Sequence, residues 1–301
     1  MVRQSRLFAA AGPVFCAAFF LTLLGSSPSL AVTFTVAGGG AGGGCTGFFN
    51  TGSSPVSNSQ SCSNLGDPTF AATGSVAASA SAGHVGGSQD LQSFGSAAGT
   101  NMQATGIYSD VFLFHSSNPS QTSTSISLNL DAFGTMAVGG PFATSEILLR
   151  VNVTGTSVGE LRANLDTTGP AHCASSFSGG AGCSGAFFAG GHLTTQSILI
   201  GLDQPVLIQL RLDASGSAAA PGSSSSSEFN NSLDFPIGVL LFNLDPGITV
   251  NAPSSFVTDN VFAPPGAATP LPAALPLFVT GLGALGLLGW RRKKKAAALI
   301  A

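Results

Sequence analysis

The chain has 301 residues, 44% of them hydrophobic and 8% charged, with 40 glycines and a formal net charge of −3. That charge conceals an asymmetry: all thirteen acids lie between Asp67 and Asp259, where Arg150, Arg162 and Arg211 are the only bases and lysine is absent, so the body carries −10. A surface of that sign repels phosphate backbones and excludes nucleic acid as a partner, while suiting solubility outside a cell or cross-bridging by divalent cations.

At the N-terminus, Arg3 and Arg6 precede an apolar run from Leu7 to Leu24, and Gly25-Ser-Ser-Pro-Ser-Leu-Ala31 ends in small residues. This is the pattern of a Sec-type signal peptide over residues 1–31, cut after Ala31, with Ser29 and Ala31 at the small-residue positions. Pro13-Val14-Phe15 ahead of Cys16 fits a lipobox badly, so Cys16 reads as an ordinary apolar-region residue lost on processing. The Sec translocon and a signal peptidase are the implied partners, and the body becomes extracytoplasmic.

The body, residues 32–269, is long enough to bury a core as one domain of about 240 residues. Its periodicity is that of strands. Val32–Val36, Thr69–Ala80, Ile107–Phe114, Thr122–Leu130, Glu146–Val153, Val158–Leu165, Gln196–Leu202, Pro205–Leu212 and Val239–Leu244 each alternate or run apolar between turn residues. In Ser125-Ile-Ser-Leu-Asn-Leu130 the apolar residues share one face, and Leu210 and Leu212 face in around an outward Arg211. These segments predict an all-β fold, an antiparallel β-sandwich of jelly-roll or Greek-key type. Gly38–Gly44 and Pro221–Ser227 read as low-complexity loops.

Cys45, Cys62, Cys173 and Cys183 survive signal cleavage. An even number in an exported chain favours two disulfides, and proximity pairs Cys45 with Cys62 and Cys173 with Cys183. The alternative is a metal site from His172, Cys173, Cys183 and His192, whose spacings match no compact zinc motif. A Leu-Asp pair closes segment after segment, with Asp131, Asp166, Asp203, Asp213, Asp234 and Asp245 in the second position. Turn chemistry explains this, because Asp hydrogen-bonds the backbone two residues on. The alternative gathers several of these carboxylates at one sandwich edge as a Ca²⁺ site, although no Asp-x-Asp-x-Asp loop occurs.

Enzymatic signatures are missing from the sequence. There is no Gly-x-Ser-x-Gly, His84, His115, His172 and His192 are scattered, and Glu146, Glu160 and Glu228 sit in no glycosidase signature. Gly38-x-Gly40-x-x-Gly43 matches a dinucleotide fingerprint only formally, since no helix follows. The expected body is therefore not an enzyme and takes no cofactor, with Ca²⁺ kept as the alternative. Trp290 and Tyr108 are the only Trp and Tyr, so the usual sugar-stacking rings are scarce, and Phe112 and Phe114 read as core. Asn152-Val-Thr154 and Asn230-Asn-Ser232 are formal glycosylation sequons.

The tail, residues 270–301, is the most specific segment. Ala273–Trp290 is uncharged and its eighteen residues rise about 27 Å as a helix, close to the roughly 30 Å of a bilayer core. Arg291, Arg292, Lys293, Lys294 and Lys295 form a basic stop that stays cytoplasmic. Pro270-Leu-Pro-Ala-Ala-Leu-Pro276 followed by this span and stop resembles the PEP-CTERM sorting domain. That resemblance implies recognition at Pro270, Leu271 and Pro272 by an exosortase, an integral-membrane cysteine transpeptidase of Gram-negative bacteria, many of which make exopolysaccharide. Leu271 stands where the family's name has Glu, and the Pro-Leu-Pro-Ala-Ala form is similar to a common variant. Phe229–Pro236, Val239–Asn251 and Val257–Phe262 also resemble the closing segment of many PEP-CTERM ectodomains. The expected protein is held transiently in the inner membrane and then released to the cell surface or biofilm matrix. There it has a structural or adhesive role, the alternative being a Ca²⁺-assisted lectin-like module acting on exopolysaccharide.

Overall fold

A computed structural model describes residues 32–41, 47–63, 72–94, 100–169, 171–179, 182–184, 187–254 and 256–263. The signal peptide with its cut at Ala31, Cys45, the sorting residues Pro270, Leu271 and Pro272, the span and the basic stop lie outside the described residues.

Described residues form strands and turns without a helix. In chain order the strands are β1 (Thr33–Ala41), β2 (Phe48–Gly52), β3 (Val56–Ser63), β4 (Ala72–Ser81), β5 (His84–Ser93), β6 (Thr100–Ser116) and β7 (Ser123–Gly139). There follow β8 (Ala143–Val153), β9 (Thr156–Asp166), β10 (His172–Ser175), β11 (Ser178–Gly179), β12 (Gly182–Ser184), β13 (Phe187–Thr194) and β14 (Ile198–Gly201). The chain continues through β15 (Pro205–Ala218), β16 (Ser224–Asp234), β17 (Phe242–Asn243), β18 (Ile248–Asn251), β19 (Val257–Thr258) and β20 (Val261–Phe262).

One sheet runs β10-β9-β8-β15-β6-β1-β2, with β18 also on β6. The other runs β11-β13-β7-β16-β5-β4-β3, with β12 on β13 and both β14 and β17 on β7. Pairing is antiparallel throughout the named strands. The sheets stack face to face, β4, β5 and β16 of one lying against β1, β6, β8 and β15 of the other. The expected all-β architecture is present.

Period-two patterning decides which side chains fill the space between the sheets. Ile126, Leu128 and Leu130 are buried on β7, as are Leu210 and Leu212 on β15 and Phe112 and Phe114 on β6. Tyr108, Phe112 and Phe114 stand in file on β6 and meet rings from the closing segment edge-on: Tyr108 with Phe235 at 5.6 Å, Phe112 with Phe242 at 5.3 Å and Phe114 with Phe242 at 5.1 Å. Edge-to-face pairs of this kind each add roughly 0.5–1.5 kcal/mol beyond their burial. They fasten residues 235–262 onto the sandwich. Asn260 completes the fastening, since its amide donates to the Phe242 carbonyl at 2.7 Å and accepts from the Phe242 N–H at 2.8 Å.

Two low-complexity segments expected as loops are strands in part, residues 42–44 of the first lying outside the described residues and residues 221–223 of the second forming a turn. Gly38–Ala41 continues β1 and pairs with residues 101–104 of β6, because a glycine run costs nothing sterically where a partner strand supplies the hydrogen bonds. Ser224–Ser227 opens β16, with alternate serines turned inward: Ser225 and Ser227 are buried. Ser225 donates to the Thr144 carbonyl at 2.7 Å and accepts from Gln89 at 3.0 Å, so hydrogen bonds between sheets replace apolar packing there. Conversely, the expected strand Val239–Leu244 shortens to β17, as Gly238 with φ of 74° and the exposed Val239 and Leu240 belong to the preceding loop.

Candidate functional site

Three histidine–carboxylate pairs lie on the surface, and two of them are joined in one row. His84 on β5 is directly opposite Asp234 on β16, Asp234 is directly opposite Asp131 on β7, and Asp131 is directly opposite His192 on β13. Residues paired across strands point to the same face, so these four side chains form a line across four adjacent strands on the outer side of the sheet. His84 Nδ1 hydrogen-bonds Asp234 Oδ1, and His192 Nδ1 lies close beside Asp131 Oδ1, a buried oxygen that takes no hydrogen bond.

Two bulges produce this alignment. The β16 register with β5 and β7 shifts between Glu228 or Phe229 and Leu233, bringing Asp234 opposite both His84 and Asp131. The β13 register with β7 shifts between Phe188 and Gly191, bringing His192 rather than Gly191 opposite Asp131. Bulges re-aim side chains in this manner next to sites.

A cleft opens beside the row, lined by His84, Asp131 and Asp234 together with Phe133, Ile237 and Phe262. Phe133 follows Asp131 by two residues on β7 and so shares its face; it is 50% exposed, and Ile237 is 71% exposed. Gly83, in the turn before His84, has φ of 62°, and a Cβ there would lie 2.7 Å from both the Phe235 and the Phe262 rings. Only glycine satisfies both the left-handed backbone and the contact, and His84 takes its place from that turn.

His84 Nε2 lies 3.4 Å from Ser79 Oγ, which gives Ser79, His84 and Asp234 the atom order of a hydrolytic triad. The strand that carries Ser79 does not supply the other half of such a site. β4 is an interior strand paired on both sides, with Ser79 opposite Ser57 and Gly86, so its backbone N–H groups are committed to the ladder and none is aimed at an oxyanion. The three residues form a polar chain on a sheet surface.

The six Leu-Asp carboxylates disperse. Asp166 follows the expected turn chemistry: it accepts from the Thr168 N–H and hydroxyl, both at 2.8 Å, and these bonds hold its carboxyl below the usual range. Asp203 sits in a turn with φ of 56° and bonds His115 at 2.6 Å. Asp245 accepts from Thr124 at 2.8 Å, and Asp213 from Arg211 at 2.7 Å within β15. Asp131 lies within β7 and Asp234 ends β16, which makes them cross-strand partners rather than turn caps. The gathering of several at one edge does not occur, and among the described residues no three His, Cys, Asp or Glu side chains converge to hold a metal.

Of the residues weighed as metal ligands, His192 is turned to Asp131 and His172 lies on β10 opposite Asn164. Cys173 is on β10 and Cys183 on β12, at matching margins of the two sheets; Cys62 is on β3 at the opposite margin. Asn152 faces Gln209, bonding it at 3.2 Å. Sequence reasoning passed over Phe133 and the histidine–aspartate row. The available signal was the Leu-Asp recurrence, but the bulges that align Asp131, Asp234 and both histidines leave no local mark.

One carboxylate is wholly inside. Asp110 on β6 accepts from the Tyr108 hydroxyl at 2.9 Å, the Ser254 hydroxyl at 2.6 Å and the Val111 N–H at 2.8 Å. Burial pushes its carboxyl above the ordinary value, and those three bonds offset this only in part. The Tyr108 hydroxyl is likewise pushed up, by burial first and then by the Asp110 charge.

Comparison with protein-family models, with curated proteins and with solved structures returns no match for this chain.

Proposed function

We propose that this protein is an exported, exosortase-sorted surface or matrix protein of a Gram-negative bacterium, with a structural or adhesive and non-catalytic role. The single observation that carries the reading is the tail: Pro270-Leu271-Pro272, an uncharged span from Ala273 to Trp290, and Arg291–Lys295. With the signal peptide over residues 1–31, the tail defines an inner-membrane intermediate from which the body is released to the cell surface. The exosortase, the Sec translocon and signal peptidase act on the chain, and exopolysaccharide is the material it meets.

The body suits such a life. Its alternation between two stacked antiparallel sheets is that of a jelly-roll or Greek-key sandwich, with two disulfides lacing its margins. Support for the pairs is that the Cys62 and Cys173 sulfurs are disulfide-bonded and that β10, with Cys173, lies beside β12, with Cys183. Cys45 precedes β2, the strand at the margin nearest β3 and Cys62. A Cys173–Cys183 disulfide then ties β10 at the edge of one sheet to β12 at the edge of the other, where a sandwich otherwise opens. Support for a role without catalysis is that Ser79, a hydroxyl placed on a histidine–aspartate pair, sits on a strand whose backbone N–H groups are committed to the ladder. Following the chain's C-terminus in its native host, with and without the exosortase, tests the reading.

A further inference from the structure

We propose that the cleft beside the His84–Asp234–Asp131–His192 row binds an oligosaccharide bearing amino groups, with Phe133 as the stacking platform and Asp131 and Asp234 as the hydrogen-bonding and ion-pairing groups. The inference goes beyond the sorting reading and rests on it only for where the glycan is met.

The chemistry of the row selects the ligand. Asp234 has one oxygen hydrogen-bonded by His84 and keeps the other to accept from a ligand hydroxyl or ammonium, while Asp131, beside His192, has a buried Oδ1 with no hydrogen bond and keeps Oδ2 for the ligand. The two aspartates sit opposite one another on neighbouring strands, which run about 4.8 Å apart, so the row repeats its acceptors across the sheet. A chain of sugar rings lying across the strands meets them in turn. Ser79 beyond His84 extends the same polar line.

Phe133 supplies the apolar contact. It stands half exposed on the face that carries Asp131, and Ile237 and Phe262 continue an apolar wall along the cleft. A hexose ring has an apolar face that stacks on an aromatic one, and convergent polar groups around an apolar floor are the usual composition of a small-ligand site. An ammonium beside Phe133 is attracted by the ring's negative face as well as by the carboxylates.

Charge excludes the acidic sugars. The three arginines of the body are each bonded to an acid elsewhere, Arg150 to Glu160, Arg162 to Glu146 and Arg211 to Asp213, and none is bonded to Asp131 or Asp234. A uronate ring placed here meets two carboxylates whose neighbours are imidazoles rather than a guanidinium or ammonium group.

The test is calorimetric titration of the purified full-length chain in detergent with a glucosamine tetrasaccharide, its N-acetylated counterpart and a uronic-acid tetrasaccharide. Saturable binding of the glucosamine form is expected, weakening with added salt. Phe133→Ala is expected to weaken it about ten-fold, and Asp131→Asn to weaken it while reducing its salt dependence. Melting curves of the variants verify folding, and because Phe133 is a surface residue its removal leaves the core intact; Ile237→Ser serves as a second variant on the same wall. The proposal is overturned if none of the amino sugar binds, if both variants bind as the parent does, or if the uronic-acid chain binds as well. Binding that requires added Ca²⁺ also overturns it, since the row then acts through a metal. None of these results bears on tail processing, so the two readings fail separately.

Discussion

Asp131 and Asp234 face each other across β7 and β16, and each has a different histidine beside it on its far side. Like charges directly opposite on neighbouring strands are destabilising, and the two imidazoles offset part of that repulsion. Asp234→Asn keeps an oxygen to accept from His84 while removing one charge. It is expected to raise stability by roughly 0.2–1 kcal/mol in urea unfolding. A loss of stability instead would mean that the second charge holds the row together.

The two sheets approach closely at Gly106 on β6. A Cβ there would lie 2.8 Å from the carbonyl oxygens of both Gly86 and Ser79 in the facing sheet, and a backbone cannot yield as a side chain can. Gly106→Val is expected to cost at least about 2 kcal/mol by wedging the sheets apart. Chemical denaturation of the variant checks this, and an unchanged midpoint would refute the close approach.

The buried Asp110 sets a pH dependence whose sign is opposite to that of a salt-bridged acid. Its folded carboxyl titrates above the ordinary 3.8, so the folded state holds the proton more tightly than the unfolded chain does. Its contribution therefore becomes unfavourable as pH rises from about 3.8 through the folded value, and the full cost is present above that value. Asp110→Asn cannot ionise, so melting temperatures from pH 3 to pH 8 should show the parent losing ground to the variant as pH rises, then levelling. A gap that instead widens towards acid would contradict the assignment.

Ser79 tests the absence of catalysis. If Ser79, His84 and Asp234 form a polar chain only, a fluorophosphonate probe that marks activated serines leaves Ser79 unlabelled. Labelling that disappears in His84→Ala would make the row an acyl-transfer site and displace the non-catalytic reading.

The strand interiors were legible in the sequence because Ile126, Leu128, Leu130, Leu210 and Leu212 repeat with period two and the buried face needs that period. β16 was not, because its inward positions include the serines Ser225 and Ser227 rather than apolar residues, and Ser225 bonds the Thr144 carbonyl of the facing sheet. The histidine–aspartate row was hidden for a different reason. His84, Asp131, His192 and Asp234 are distant along the chain, and register shifts in β13 and β16 decide which of them meet. Phe133 was absorbed among the core phenylalanines, since a strand carries large residues on either face and the sequence does not say which face is wet.

The most direct measurement is the intact mass of the mature protein and of its C-terminal peptide, taken from the native host with and without the exosortase. The expected result is a chain that begins at Val32 and has lost the segment beyond about Pro272 only when that enzyme is present, any attached group appearing as added mass. A mature chain still carrying Arg291–Lys295 in both strains would contradict sorting and leave a plain single-pass anchor.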